Sequence, residues 1–396
     1  MGLKDKIKEL AESIYLEVVG HRRFLHAHPE LSFQEYNTAR YIKDALSALG
    51  VEWVAMANTG VVAILKGERP SSRVIALRAD MDALPIQEAN NHLYKSKVEG
   101  VMHACGHDAH TASLLGVAKI LLELRQEFGG TVKLIFQPAE EKLPGGAHQM
   151  IKEGALDSPR PQVVLGQHVM PSLPAGYVGV RPGMFMASND ELYLTIKGKG
   201  GHGAQPHQNT DPVVIASHIV LALQQIVSRV ANPKFPTVLT IGKIIANGAP
   251  NITPDEVHME GTFRTMDEGW RREALERLKK MAEGIAESLG ATCESKVVDG
   301  YPFLVNEEKL TASFRDIAEE YLGEERVVET DIWMAAEDFA YFSHASDACF
   351  YLLGVGNQQR GITSSLHTPT FDLDEDALKV STGLMAYAAY KLLGNG

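Results

Sequence analysis

Three apolar runs constrain this chain more than any other feature, because each ends in side chains able to bind a metal ion. Arg73-Val-Ile-Ala-Leu-Arg78 leads into Asp80 and Asp82. Thr131-Val-Lys-Leu-Ile-Phe136 leads into Glu140 and Glu141, and Val163-Val-Leu-Gly166 leads into His168. Short apolar runs alternating with helical periodicity are the pattern of an α/β domain built on a mostly parallel sheet. In open sheets of that kind, sites form in the crevice beyond the carboxyl ends of the strands. Either aspartate alone could be a cap or a turn residue. The shared position of all five side chains is what points to a site.

A second concentration of ligand-capable residues lies between the first two runs. His103-Ala-Cys-Gly-His-Asp-Ala-His110 holds three histidines, Cys105 and Asp108 within eight residues. Thiolate and imidazole suit zinc, nickel or cobalt, and carboxylate suits manganese. Read alone, the stretch could be a histidine-rich turn. A closed structural zinc site fits poorly, since such sites use four Cys/His ligands with C-x₂₋₄-C spacing, which this sequence lacks. His26 and His28 precede a turn at Pro29 and read as structural or supporting residues.

At 396 residues the chain is long for one core, so two domains are expected. Apolar positions Leu3, Ile7, Leu10, Ile14 and Val18 mark one face of an amphipathic helix over 3–26. Helices are also expected over 35–49, 109–124, 307–322 and 375–393. From about Arg181 the pattern changes. Strand 191–197, helix 211–230, strands 237–246 and 256–265, helix 267–289 and strand 291–298 give the order β-α-β-β-α-β, the ferredoxin-like split unit. The expected layout is a main domain of 1–181 and 293–396 with an inserted domain of 182–292. The two connections would serve as hinges for a closing lid.

Charge and cysteine usage narrow the partners. A formal charge of −12 with no Lys/Arg stripe argues against a nucleic-acid surface. Cys105, Cys293 and Cys349 are too scattered for a disulfide framework and fit a reducing compartment. The charged N-terminal stretch lacks an apolar leader, and no run of about 18 apolar residues is evident. A cytoplasmic protein without a membrane span is the expectation.

The motifs together resemble the M20 family of metallopeptidases and amidohydrolases. Within it, the match is to the branch of N-acyl-amino-acid amidohydrolases, hippurate hydrolases and auxin-conjugate hydrolases. The stretches that carry the resemblance are Arg78-Ala-Asp-Met-Asp-Ala-Leu-Pro85, His103 to His110, Phe136-Gln-Pro-Ala-Glu-Glu141 and Gly166-Gln-His168. Gly198-Lys-Gly-Gly-His-Gly-Ala204, Asn251-Ile-Thr-Pro-Asp255, Ala336-Glu-Asp-Phe339 and Leu366-His-Thr-Pro369 follow in family order. The resemblance implies a catalytic domain with two divalent ions (Mn, Zn, Ni or Co) and a smaller lid that often dimerises. Carried over by position, the ligands would be Cys105, His107, Glu141, His168 and His367.

The implied reaction is hydrolysis of the amide of an N-acyl amino acid or short peptide by a homodimer or homotetramer. Glu140 would take a proton from water beside the metals and pass it to the leaving amine. A second ligand or a structural acid is the alternative reading of Glu140. Cys105 could instead be a nucleophile paired with histidine, although a sulfur engaged by metal is not free to attack. Asp82 would orient a ligating histidine. His202 would stabilise the oxyanion, often across a subunit boundary. Asn251 and Arg264 are candidate substrate contacts, with a solvated or structural arginine as the alternative for Arg264. Glu337 resembles a family acid at the site margin. The rival functions are a carboxypeptidase or dipeptidase, and a relative that binds metal or acylated ligand without turnover.

Overall fold

The structure, a computed structural model, describes residues 2–394. The chain divides into two compact units. The first comprises the residues up to Gly183, Val305–Ile332 and the residues from Asp338 onward; the second is Met184–Leu304 with Trp333–Glu337.

The first unit is built on an eight-stranded sheet. Its strands are β1 (Trp53–Met56), β2 (Gly60–Lys66), β3 (Arg69–Asp80), β4 (Gly129–Gln137), β5 (Val163–Pro174), β6 (Val178–Val180), β15 (Val327–Glu329) and β16 (Asp347–Gly356). Their spatial order is β1-β2-β4-β3-β5-β16-β6-β15. The pairs β3–β4, β3–β5, β5–β16 and β6–β15 are parallel, while the pairs at β1–β2, β2–β4 and β16–β6 are antiparallel. The central strands bury successive residues (Ile75, Ala76 and Leu77; Leu134, Ile135 and Phe136), as a sheet covered on both faces requires.

The unit's helices are α1 (Leu3–Ser13), α2 (Tyr15–Ala27), α3 (Tyr36–Ala48), α4 (His107–Glu123), α5 (Gly146–Lys152), α8 (Glu308–Leu322), α9 (Ala340–Ala345) and α10 (Ala377–Leu392). The single helix expected over 3–26 is two, divided at Ile14. Helix α4 buries nearly every residue from His107 to Leu121, so it packs on all sides and has no polar face. In the β4-β3-β5 trio, Asp80 pairs with Gln137 and Arg78 with Gly166. That register sets the ends of β3 and β4 level with His168, which lies within β5 rather than beyond its end as the apolar run Val163–Gly166 suggests, because β5 continues to Pro174.

The second unit carries β8 (Asp190–Lys197), β9 (Gly201–His202), α6 (Pro212–Gln225), β10 (Thr237–Ile245), β11 (Ile252–Thr253), β12 (Glu256–Thr265), α7 (Glu268–Ser288) and β13 (Thr292–Val298). Short strands β7 (Gly183–Met186) and β14 (Leu304–Asn306) lie near its two ends in sequence. The antiparallel sheet runs β10-β12-β8-β13, and β9 pairs with β11 as a separate ribbon. Leu192, Leu194 and Ile196 alternate inward from β8 to meet Ile219 and Leu223 of α6 and Leu278 of α7. Asp211 caps α6 by accepting from Val213 and Val214 N–H, and Asp267 caps α7 through Trp270 N–H.

Two expectations need correction here. A boundary at 293 cuts through β13, which is bonded along β8 from Thr292 to Val298, so the unit extends to Leu304. Pro212–Val230 is, by length and composition, apolar enough to cross a membrane, against the expectation that no such run exists. Its inner face (Ile215, Ala216, Ile219, Leu223) is core, while Val213, Val214 and Leu221 on the outer side are exposed.

Candidate metal centre

Cys105 and His107 flank Gly106, which opens α4 with φ +79°. A Cβ on Gly106 would lie 2.5 Å from Val169 Cγ2, so both conformation and space require glycine. The turn delivers a thiol and an imidazole to one side of the sheet's carboxyl edge. His168 comes from β5, where its Nδ1 donates to Val169 O at 2.7 Å. That bond leaves Nε2 facing Cys105 Sγ at 3.3 Å. His367 lies in the loop between β16 and α10, its N–H bonded to Ala104 O at 2.9 Å. His367 Nε2 is 3.3 Å from Cys105 Sγ and 3.1 Å from Glu141 Oε1.

Glu140 and Glu141 follow β4, and the Glu141 N–H donates to Asp82 Oδ2 at 3.0 Å. Asp82 also accepts from Ser32 Oγ at 2.6 Å. His107 Nδ1 faces the carbonyl and carboxylate oxygens of Asp82 at 3.0 and 3.2 Å. Both are acceptors, so Nδ1 carries a proton and Nε2 is directed into the cluster. His107 Nε2 and Glu141 Oε1 are buried and make no hydrogen bond.

Among the overlapping sets of candidate donors, three consist of these residues alone: Cys105, His107 and His168; Cys105, Glu141 and His367; and His107, Glu140 and Glu141. Within each set the donor atoms lie within 4.8 Å of one another. The five residues singled out as ligands, together with Glu140 and Asp82, are thus brought together in the first unit. Sulfur, imidazole nitrogen and carboxylate oxygen suit zinc, cobalt, nickel or manganese. Orphaned buried donors beside several acids are the arrangement a divalent cation satisfies. The residues fit such ions.

Electrostatics point the same way. The buried Arg78 guanidinium bonds Asp80 at 2.6 Å and Asp338 at 3.0 Å. Burial raises the Asp80 pKa, but Arg78, His107 and His110 outweigh it and hold the carboxyl well below its usual range. Burial works against an imidazolium at His107, yet Asp80, Asp82 and Glu141 lift it to about 10. Burial, then Glu141, Glu140 and Asp80, push the Cys105 thiol well above its ordinary value. Burial and the neighbouring His110 and His107 push His168 well down. A thiolate–imidazolium pair of Cys105 and His168 is therefore disfavoured, which weakens the nucleophile reading.

The supporting contacts of His110 and Asp108 were not read from the sequence, whereas His26 and His28 were expected to be structural. His110 donates from Nδ1 to Asp80 Oδ1 at 2.6 Å, and its Nε2 accepts from Val169 N–H at 2.9 Å. It sits one turn beyond His107 on α4, and that i, i+3 spacing was the available signal. Asp108 Oδ2 accepts from Arg22 Nε at 2.9 Å and lies 2.8 Å from His26 Nδ1. His26 also reaches Glu88 at 3.3 Å, and His28 bonds Phe24 O, so both are structural. His103 is buried without a hydrogen bond at either ring nitrogen, and burial pushes it down to about 4.

The remaining candidates belong to the second unit. His202 on β9 pairs with Ile252 on β11, and its Nδ1 accepts from Ala204 N–H at 3.1 Å. Asn251 precedes β11, and its carbonyl accepts from Gly203 N–H at 2.9 Å. Both side chains are exposed. Arg264 lies on β12, partly buried, and donates to Met334 O at 3.2 Å. Glu337 ends the return segment Trp333–Glu337 and is buried.

The profile of peptidase family M20/M25/M40 matches residues 76–391. The chain is 45% identical over 304 residues to an N-acyl-L-amino acid amidohydrolase of Geobacillus stearothermophilus, covering 76% of this chain and 81% of the relative. It is 38% identical to thermostable carboxypeptidase 2 of Saccharolobus solfataricus, over 98% of both chains. Among solved structures it resembles Bacillus subtilis YXEP, a dinuclear metal binding peptidase from the M20 family. That match has a TM-score of 0.83 and 37% identity, and it covers 97% of this chain and 100% of the other. With the profile spanning most of its length and relatives of this similarity, the chain belongs to peptidase family M20/M25/M40.

Proposed function

We propose that this protein is a metal-dependent amidohydrolase that cleaves N-acyl amino acids to a carboxylic acid and a free amino acid. The observation that carries the reading is the position of Glu140 within 4.8 Å of donor atoms on His107 and Glu141. Cys105, His107, Glu141, His168 and His367 would hold two divalent ions per subunit, drawn from Mn, Zn, Ni or Co. Such ions lower the pKa of water toward neutrality and polarise an amide carbonyl. Glu140 accepts the proton of the attacking water and delivers it to the departing amine. Asp82 holds His107 in the tautomer that presents Nε2.

The candidate substrate contacts belong to the second unit. His202 donates to the oxyanion, while Asn251 and Arg264 meet the carbonyl or carboxylate of the amino acid. Its β-α-β-β-α-β order supports a ferredoxin-like lid, hinged where the chain enters and leaves it. The exposed Val213, Val214 and Leu221 on α6 support a subunit contact in a homodimer or homotetramer. A cytoplasmic location completes the proposal.

A second reading, carboxypeptidase or dipeptidase, is favoured by the similarity to a thermostable carboxypeptidase. It uses the same chemistry on a different acyl group. The test is amino acid release from N-acyl amino acids and dipeptides by chelated protein restored with Mn²⁺, Zn²⁺, Co²⁺ or Ni²⁺. Turnover that requires metal and is lost in Glu140→Gln is expected, and the panel ranks acylase against peptidase. Metal uptake without turnover of any panel member would favour the non-catalytic relative.

A further inference from the structure

Glu35 is fully buried and lies 104 residues before Ala139 in sequence. Its Oε1 accepts from Ala139 N–H at 2.8 Å and from Phe33 N–H at 3.0 Å. Its Oε2 accepts from the Thr59 hydroxyl at 2.7 Å. All three donors are neutral, so no ion pair accounts for an acid at this depth.

What Glu35 grips is unusual backbone. Ala139 has φ +50° and Phe33 φ +66°, left-handed values that L side chains rarely adopt. Ala139 directly precedes Glu140. On the far side of Glu140, the Glu141 N–H ends on Asp82 Oδ2. The amides flanking Glu140 are therefore each tied to a buried carboxylate, and both carboxylates receive help from one short segment through Ser32 and Phe33. The turn is also fixed from below. Ala139 O accepts from Gly146 N–H at 3.0 Å, and a Cβ on Gly146 would fall 1.8 Å from Pro138 O.

We infer that Glu35 is a positioning residue for the reaction: by holding Ala139 left-handed, it sets the direction in which Glu140 points. This rests on the reading of Glu140 as the proton-transfer group. Unpinned, Ala139 relaxes toward negative φ and carries the next side chain away from its place. Support of this kind, locking a reactive group through its neighbours' backbone, is what fixed geometry requires.

Reach and charge separate in two conservative variants. Glu35→Gln keeps an oxygen at the same distance, while its amide can donate to Thr59. Glu35→Asp keeps the charge but withdraws the acceptor by one methylene. In the metal-restored enzyme, Glu35→Asp is expected to lose about 10²-fold in kcat, the cost typical of a displaced proton-transfer group. KM and bound metal should stay near wild type, and Glu35→Gln should stay within about fivefold in kcat. Adding Ala139→Gly to Glu35→Asp removes the penalty on positive φ and should recover about fivefold. Hydrogen exchange of a peptide covering 137–142 reads the clamp without any assay, with faster exchange in Glu35→Asp and none in Glu35→Gln. Faster exchange in a protein that hydrolyses no amide would keep the clamp and sink only the proposed reaction. Unchanged kcat and exchange in folded Glu35→Asp, or equal damage in Asp and Gln variants, would overturn the inference.

Discussion

The residues proposed to act lie in two contrasting settings. In the first unit, the donor atoms around Cys105 are mostly buried, and the groups behind them are occupied by named partners: Asp82 behind His107, Val169 O behind His168, and the Ala104 carbonyl behind the His367 backbone. In the second unit, His202 is exposed on a two-residue ribbon and Asn251 is exposed just before its partner strand. A centre that must select and hold ions needs geometry fixed before binding, and its cost is carried by the fold. Residues that engage a substrate can remain open until it arrives. Changes at the ligands of the first unit should therefore affect metal content and folding together, whereas changes in the second unit should affect turnover alone.

The largest effect is expected at the ligands. Cys105→Ala or His168→Ala should abolish stoichiometric metal uptake, measured by elemental analysis after dialysis, and turnover with it. Retained metal in both variants would break the comparison. Glu140→Gln comes next, with a loss of about 10²–10⁴-fold in kcat typical of a positioned acid–base group and unchanged metal content. His202→Ala should cost about 10²–10³-fold in kcat, the usual range for an oxyanion donor, with metal content and melting temperature unaltered. A fall in metal content in that variant would place His202 among the ligands.

A smaller effect concerns pH. Burial and the nearby Asp82 raise the Glu35 carboxyl to about 7, while helping hydrogen bonds work in the opposite direction. The folded state then binds this proton more tightly than the unfolded chain does. The stabilisation is full below the unfolded carboxyl range near 4.5 and is lost as pH rises through 7. In chelated protein, the denaturant midpoint of Glu35→Gln relative to wild type should rise over that window and level off above it. A constant difference from pH 4.5 to 8 would remove the raised pKa.

Much of the first unit was legible because its signals are local. Apolar runs at β3, β4 and β5 are buried on both faces, and a parallel register leaves the polar residues after each run level, although β5 itself continues to Pro174. The β-α-β-β-α-β order of the second unit was legible from alternation on β8 and from capping aspartates at 211 and 267. Less accessible were features that depend on distant pairing. The division of the first helix at Ile14 carries no Gly or Pro to announce it. The end of the second unit depended on which sheet receives Cys293 to Val298, and sequence alone cannot choose between the two sheets. The supporting acids were hidden for the same reason: Glu35 meets Ala139, and Arg22 meets Asp108, across about a hundred residues or nearly so. Nothing in local pattern distinguishes a buried clamp from a surface glutamate.

The central claim is that the carboxyl ends of β3 and β4 and His168 of β5 converge with Cys105, His107 and His367 on a two-ion centre. The direct test is anomalous diffraction from crystals of chelated protein restored with zinc, collected on either side of the zinc edge. Two peaks within the shell formed by Cys105, His107, Glu141, His168 and His367, with Glu140 beside them and not ligating, are predicted. A single closed four-coordinate site, or peaks outside that shell, would contradict the account.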